Sequence, residues 1–186
     1  SRHDLESELS FNAATDTVFV KTRHIHSGYS APLYKAQFIF LSADDQRSFL
    51  KEMAKNSAKT ETIISHELQN KELEVTDADK PFIVDLKLAS VDLIERAGDK
   101  ILLNIGDCIG PQVEMYNERE RQFDIEIDYP HLLDRKIVLL IPEGYKVKNP
   151  DDLKFNLSFE SNGKTTMAFI SSYKIEGTRL EVTITE

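Results

Sequence analysis

The chain has 186 residues, 32 acidic against 23 basic, and a formal charge of −9. That length allows one large domain or two small ones, with about 70% of the unfolded surface buried, and the negative charge repels phosphate backbones and anionic headgroups, which excludes nucleic acid as a natural partner. One cysteine forms no intramolecular disulfide, and no apolar run approaches the ~20 residues of a membrane span.

Residues 1–9 lack the charged-then-apolar order of a signal peptide, so the residues alone suggest a cytosolic protein or an internal piece of a longer one. "TRHIH" reads as a strand, with His24 and His26 two apart and therefore on one face. "YSAPLYKAQFIFLSADDQRSFLKEMAKN" breaks the β pattern: Leu33, Ala36 and Phe40 fall at helical spacing. Ser42 then opens a Ser-x-x-Asp capping sequence before Phe49, Leu50 and Met53. A helical hairpin is predicted over about residues 31–55, and Asp44, Asp45, Lys51 and Lys55 suit the dipole of its second helix. "PFIVDLKLA" alternates, with Phe82, Val84, Leu86 and Leu88 forming the inner row.

Residues 76–80 and 106–117 are the softest points of the chain. "FDIEIDY" (123–129) alternates again, whereas "KIVLLIP" (136–142) is apolar on successive residues, as in a strand covered on both faces. "LKFNLSF" places Leu153, Phe155, Leu157 and Phe159 on one side, and Asn162-Gly163 is a strong hairpin signal because both residues must take positive φ. With Glu176-Gly177 before "TRLEVTIT", the C-terminal segment reads as a three-stranded meander. The predicted fold is mainly β: an antiparallel sandwich with an inserted helical hairpin, one domain over 1–186, or alternatively two subdomains split near 106–117.

Three groups of residues could carry chemistry. Cys108 follows Gly-Asp, but Ile-Gly-Pro comes next and discourages the helix whose N-terminus would lower the thiol pKa; it reads as a structural cysteine. His24 and His26 could supply two ligands of a zinc site, but two ligands are not a site, and they read as polar side chains on a wet strand face. Asp124, Glu126 and Asp128 lie roughly 6.6 Å apart along a strand, too far to share a proton, and read as a solvated acidic face. Nucleotide-binding glycine loops, the Gly-x-Ser-x-Gly elbow and His-Glu-x-x-His are all missing from the chain. No catalytic, cofactor-binding or metal-ligating residue is assigned, and no cofactor is expected.

Arg121, Phe123, Tyr129, Pro130 and the run Pro142 to Tyr145 form an Arg-x-aromatic strand, a Tyr-Pro and a Pro-Glu-Gly-Tyr after an apolar strand. This arrangement resembles the region that follows the catalytic core in exported bacterial proteins of the transglutaminase-like superfamily. "SGYSAPLYKAQF" is similar to the Gly-Tyr and short helical segment of the same family. Two departures are Asp124 where proline is frequent and Asn104-Ile105 where Asn-Pro is usual.

The family's catalytic cysteine also follows Gly-Asp, but it begins a helix and is joined by a downstream His and Asp. Cys108 begins no such helix, and His131 and Asp134 do not reproduce the partner motifs. The resemblance therefore implies a noncatalytic, jelly-roll-like C-terminal β-domain of a periplasmic or cell-surface protein. Its implied partner is the adjacent transglutaminase-like domain of the same polypeptide, met through an apolar patch for which the hairpin around Phe38 to Phe49 is a candidate. The alternatives are a cell-envelope module binding peptide or glycan, and an enzyme using Cys108.

Overall fold

The computed structural model describes residues 1–73, 80–110 and 131–186. Within them the protein is mainly β, with one helical hairpin, as the alternation predicts. The N-terminal ribbon is formed by β1 (Arg2–Asn12) and β2 (Thr17–Ser27). Their pairing runs without interruption from Arg2↔Ser27 to Asn12↔Thr17. The turn between them is set by Asn12, whose Oδ1 accepts from the Ala14 N–H, and by Asp16 at positive φ.

Helix α1 (Ser30–Phe40) and helix α2 (Ala43–Ala58) follow, and then β3 (Ile63–Gln69) and β4 (Phe82–Ser90). A small separate ribbon, β5 (Ile94–Ala97) with β6 (Lys100–Leu103), leads into a 3₁₀ turn at Ile105–Cys108. After the undescribed residues 111–130 come β7 (Leu132–Leu140), β8 (Phe155–Ser161), β9 (Lys164–Glu176) and β10 (Arg179–Thr185).

Eight strands join in one sheet of order β3-β4-β2-β1-β7-β10-β9-β8. All neighbours are antiparallel except β1 and β7, which run parallel in the register Arg2↔Leu132 to Ser10↔Leu140. Alternation within a strand reports which face is buried and is silent on a neighbour's direction, so this one parallel pair leaves no trace in the sequence. The C-terminal meander is present as β8-β9-β10, and Asn162 and Gly163 both take the positive φ that their hairpin requires. The predicted strand 123–129 lies outside the described residues, as do most of the soft points at 76–80 and 106–117.

The core lies between two layers. One is the inner face of the sheet, with Leu5 and Leu9 of β1, Val18 and Val20 of β2, the whole row Phe82, Val84, Leu86 and Leu88 of β4, and Ile137, Leu180, Val182 and Ile184. The other comprises the helical hairpin, the β5–β6 ribbon and the 3₁₀ turn, which contribute Phe38, Leu50, Ala54, Ala58, Leu93 and Cys108. Each fully buried Leu, Ile, Val or Phe removed from water stabilises by about 1.5–3 kcal/mol, so this row-against-hairpin contact dominates the folding free energy. In β7 both-face coverage holds only in the middle: Ile137 and Val138 are buried, but Leu140 is exposed.

Helix α2 begins as its sequence predicts, with the Ser42 hydroxyl accepting from the Asp45 N–H and acidic residues in the first turn. Gln46 donates to the carbonyls of Phe38 and Leu41 and so closes the end of α1 against the start of α2. Helix α1 departs from expectation. The stripe Leu33, Ala36, Phe40 does not face the core; Ala31, Lys35 and Phe38 do, and Leu33 and Phe40 are 61% and 82% exposed. Apolar side chains occur on both sides of this helix, so spacing alone does not choose the buried side.

Candidate functional site

At the end of the inner face nearest α1, the core row turns polar. His3 sits directly opposite His26 across the β1/β2 pair, and His24, two residues from His26 on β2, projects from the same face. His24 and His26 are only 4% and 2% exposed, and His3 is half-buried. The sequence-based placement of the histidine pair on a wet strand face is therefore corrected. The Thr-x-His-x-His alternation is equally compatible with either face, and the register with Leu5 and Val84 puts these residues inside.

The rings form a stack. His3 lies 4.2 Å from His26 and 5.5 Å from His24 between centroids, with interplanar angles of 8° and 12°. Tyr34 of α1 covers the other side of His26 at 3.8 Å, and Phe82 of β4 approaches it at 6.4 Å. One hydrogen bond links the group, His3 Nε2 to His24 Nδ1 at 3.3 Å. His24 Nε2 and both ring nitrogens of His26 are buried with no hydrogen-bond partner among the described residues. A buried polar atom left this way costs about 1–3 kcal/mol, so three of them at one place are an anomaly that needs a cause.

Electrostatics keep the rings neutral. Burial pushes the imidazoles of His3, His24 and His26 down to about 2, 3 and 4, and the Arg135 guanidinium pushes all three further, as does the positive form of His26 for the other two. Arg135 is itself buried on β7, where it donates to the backbone carbonyls of Ile109 at 2.6 Å, His3 at 2.9 Å and Asp134 at 3.3 Å. It thus ties β1 and β7 to the end of the 3₁₀ turn.

Cys108 occupies a different part of the core. The thiol is fully buried, and burial, with a smaller contribution from Asp107, raises its pKa to about 12. The shift lowers the thiolate fraction by about three orders of magnitude. A disulfide-exchange reagent such as DTNB is expected to modify Cys108 at least about a hundredfold more slowly in the native protein than in urea, and a rate equal in both states contradicts this placement.

The opposite face of the sheet carries a groove of about 880 Å³, lined by Glu6, Glu8, Lys21, Arg23, Asp85 and Lys136 among others. Several of its charges are paired: Lys21 with Glu8 at 2.9 Å, Arg23 with Asp85 at 2.7 Å, and Lys136 with the neighbouring Glu181 at 3.3 Å. Exposed pairs of this kind contribute about 0–1 kcal/mol each, and acidic and basic side chains are interspersed along the lining. The acidic stripe Asp124, Glu126, Asp128 lies outside the described residues.

Sequence reasoning found two of the three clustered histidines and missed the third. His3 is 21 residues from His24, and only the β1/β2 register brings them together. The signal available in advance was that "RHDLESELSF" alternates as "TRHIH" does and lies one short turn from it. No family model, curated protein or solved structure matches the chain.

Proposed function

We propose that this chain is a noncatalytic accessory β-domain that packs against a neighbouring folded domain of its own polypeptide. The reading keeps the resemblance to the domain following the core of exported transglutaminase-like proteins. The observation that carries it is the stripe Tyr29, Leu33, Ala36, Phe40 along α1, whose spacing of four, three and four residues places these side chains on one helical face. Tyr29, Leu33 and Phe40 are 82%, 61% and 82% exposed, although α1 offers the core other residues to bury. An apolar helical stripe turned to solvent marks an interaction surface. The groove on the far side of the sheet, lined by interspersed charges of both signs, offers a peptide or glycan less than this stripe offers an apolar partner.

Two observations test the reading. The reading frame upstream of Ser1 is expected to encode a core with a Cys/His/Asp set, and a start codon in that place overturns the assignment. Leu33→Glu with Phe40→Glu is expected to weaken association of this chain with that core, supplied as a separate polypeptide, by at least about tenfold in gel filtration or titration calorimetry. The thermal midpoint of the isolated chain should hardly move, because both residues are exposed. Unchanged association of the double variant, or none with the wild-type chain, refutes the proposal.

A further inference from the structure

We propose that His3, His24 and His26 form a binding site for a late first-row transition-metal ion of the zinc class. The inference is independent of the docking function above and rests on the histidine cluster alone.

The ligand atoms are already assembled. One ring nitrogen from each of the three residues can be chosen so that all lie within 4.8 Å of one another. Zinc–imidazole bonds of about 2.0–2.1 Å at a tetrahedral angle put ligand nitrogens about 3.4 Å apart, so a contraction of little more than an ångström closes the set. The near-parallel rings must turn about their χ2 angles to aim their lone pairs at one point. Such sp³–sp² torsions are broad and soft. Strand β2 holds His24 and His26 two residues apart on one face, and β1 holds His3 directly across from His26, so the backbone that presents the three side chains is fixed by the central ladder.

Chemistry selects the class of ion. Three imidazoles without a carboxylate suit zinc, copper or nickel and are poor ligands for calcium or magnesium, which demand oxygen. The three partnerless nitrogens on His24 and His26 provide the second, independent observation. In the metal-free stack they are buried at a cost; as a metal ligand His26 puts one of its two to use, and His24 puts Nε2 to use where that atom rather than Nδ1 ligates. Arg135 limits the site, since a guanidinium near the rings opposes a doubly charged ion. Its Nε and Nη1 groups donate to three backbone carbonyls, whose dipoles offset part of that charge. Three protein ligands leave the fourth position of a tetrahedral ion open for water or another small donor.

The experiment uses the full 186-residue chain without a histidine tag, stripped with EDTA and dialysed. Titration calorimetry with Zn²⁺ at neutral pH is expected to show one ion per chain, and Co²⁺ is expected to give the intense visible absorption of tetrahedral coordination. His3→Gln, at the least buried of the three, should weaken Zn²⁺ binding at least about thirtyfold while its far-UV circular dichroism matches the wild type. Thermal melting adds a readout for the more buried positions: Zn²⁺ should raise the midpoint of the wild-type chain and fail to raise that of His24→Gln, whatever its starting stability. His66→Gln, at an exposed position of β3 outside the cluster, should bind as the wild type does. No binding by the wild type, full binding by His3→Gln, or loss of binding in His66→Gln overturns the assignment.

Discussion

In EDTA, the stability of this protein is expected to fall steeply as pH drops from 7.5 to 5, by about 4–6 kcal/mol. The sign follows from linkage. In the unfolded chain each histidine titrates near 6.5, whereas in the folded chain burial holds His3, His24 and His26 at about 2, 3 and 4. Between those limits the unfolded state binds up to three more protons than the folded state, so protonation favours unfolding. The stability they provide is fully present above about pH 6.5 and is lost as pH falls towards the folded values. Each histidine contributes a slope of about 1.4 kcal/mol per pH unit, or about 2 kcal/mol by pH 5, and His3 counts for less because it is only half-buried.

The depressed carboxylates do not confuse this window. Asp16, Glu61, Asp151 and Glu181 owe their lowered pKa values to basic partners and titrate below it. Urea unfolding at pH 7.5, 6.5, 5.5 and 5.0 reads the effect directly, and a free energy that stays flat over this range would show that the three imidazoles are solvated. His24→Asn should reduce the slope by about a third.

That sensitivity was hidden in the sequence for a reason visible in particular residues. Phe82, Val84, Leu86 and Leu88 announce their inward face because the alternate positions hold charge, as Asp85 and Lys87 do. The opposite holds in "TRHIH": Thr22, His24 and His26 alternate with Arg23 and Ile25, and nothing in the residue types says that the histidine row is the buried one. Polar side chains at such positions are usually outside, and here the strand register overrides the usual rule.

The helical hairpin shows the same limit at longer range. Its existence, its Ser42 cap and its acidic first turn were legible, since these are local properties. Which side of α1 faces the sheet was not, since a buried Lys35 stands where an apolar residue would be expected and Phe40 points to water. The β1/β7 parallel pair and the approach of His3 to His24 depend on chain reversals that local periodicity does not encode.

Replacing Phe82 with alanine is expected to cost about 3–5 kcal/mol at neutral pH, the range for deleting a large ring from a closed core. Phe82 is completely buried at the start of β4, pairs in register with His26, and has its ring 6.0 Å from that of Phe38 and 6.4 Å from that of His26. It is therefore a wall of the histidine stack as well as part of the apolar row. Removing it has a second consequence, opposite in sign in the acid limb. A cavity beside His26 admits water, the charged imidazole is better solvated, and its folded pKa moves back up from about 4 towards the ordinary value. The variant should be less stable than the wild type at pH 7.5 but lose less on acidification, with a slope nearer two protons than three. Chemical unfolding of the two proteins at pH 7.5 and 5.5 separates the contributions: parallel losses would show that Phe82 acts on packing alone and leaves the desolvation of His26 to Tyr34 and the strand around it.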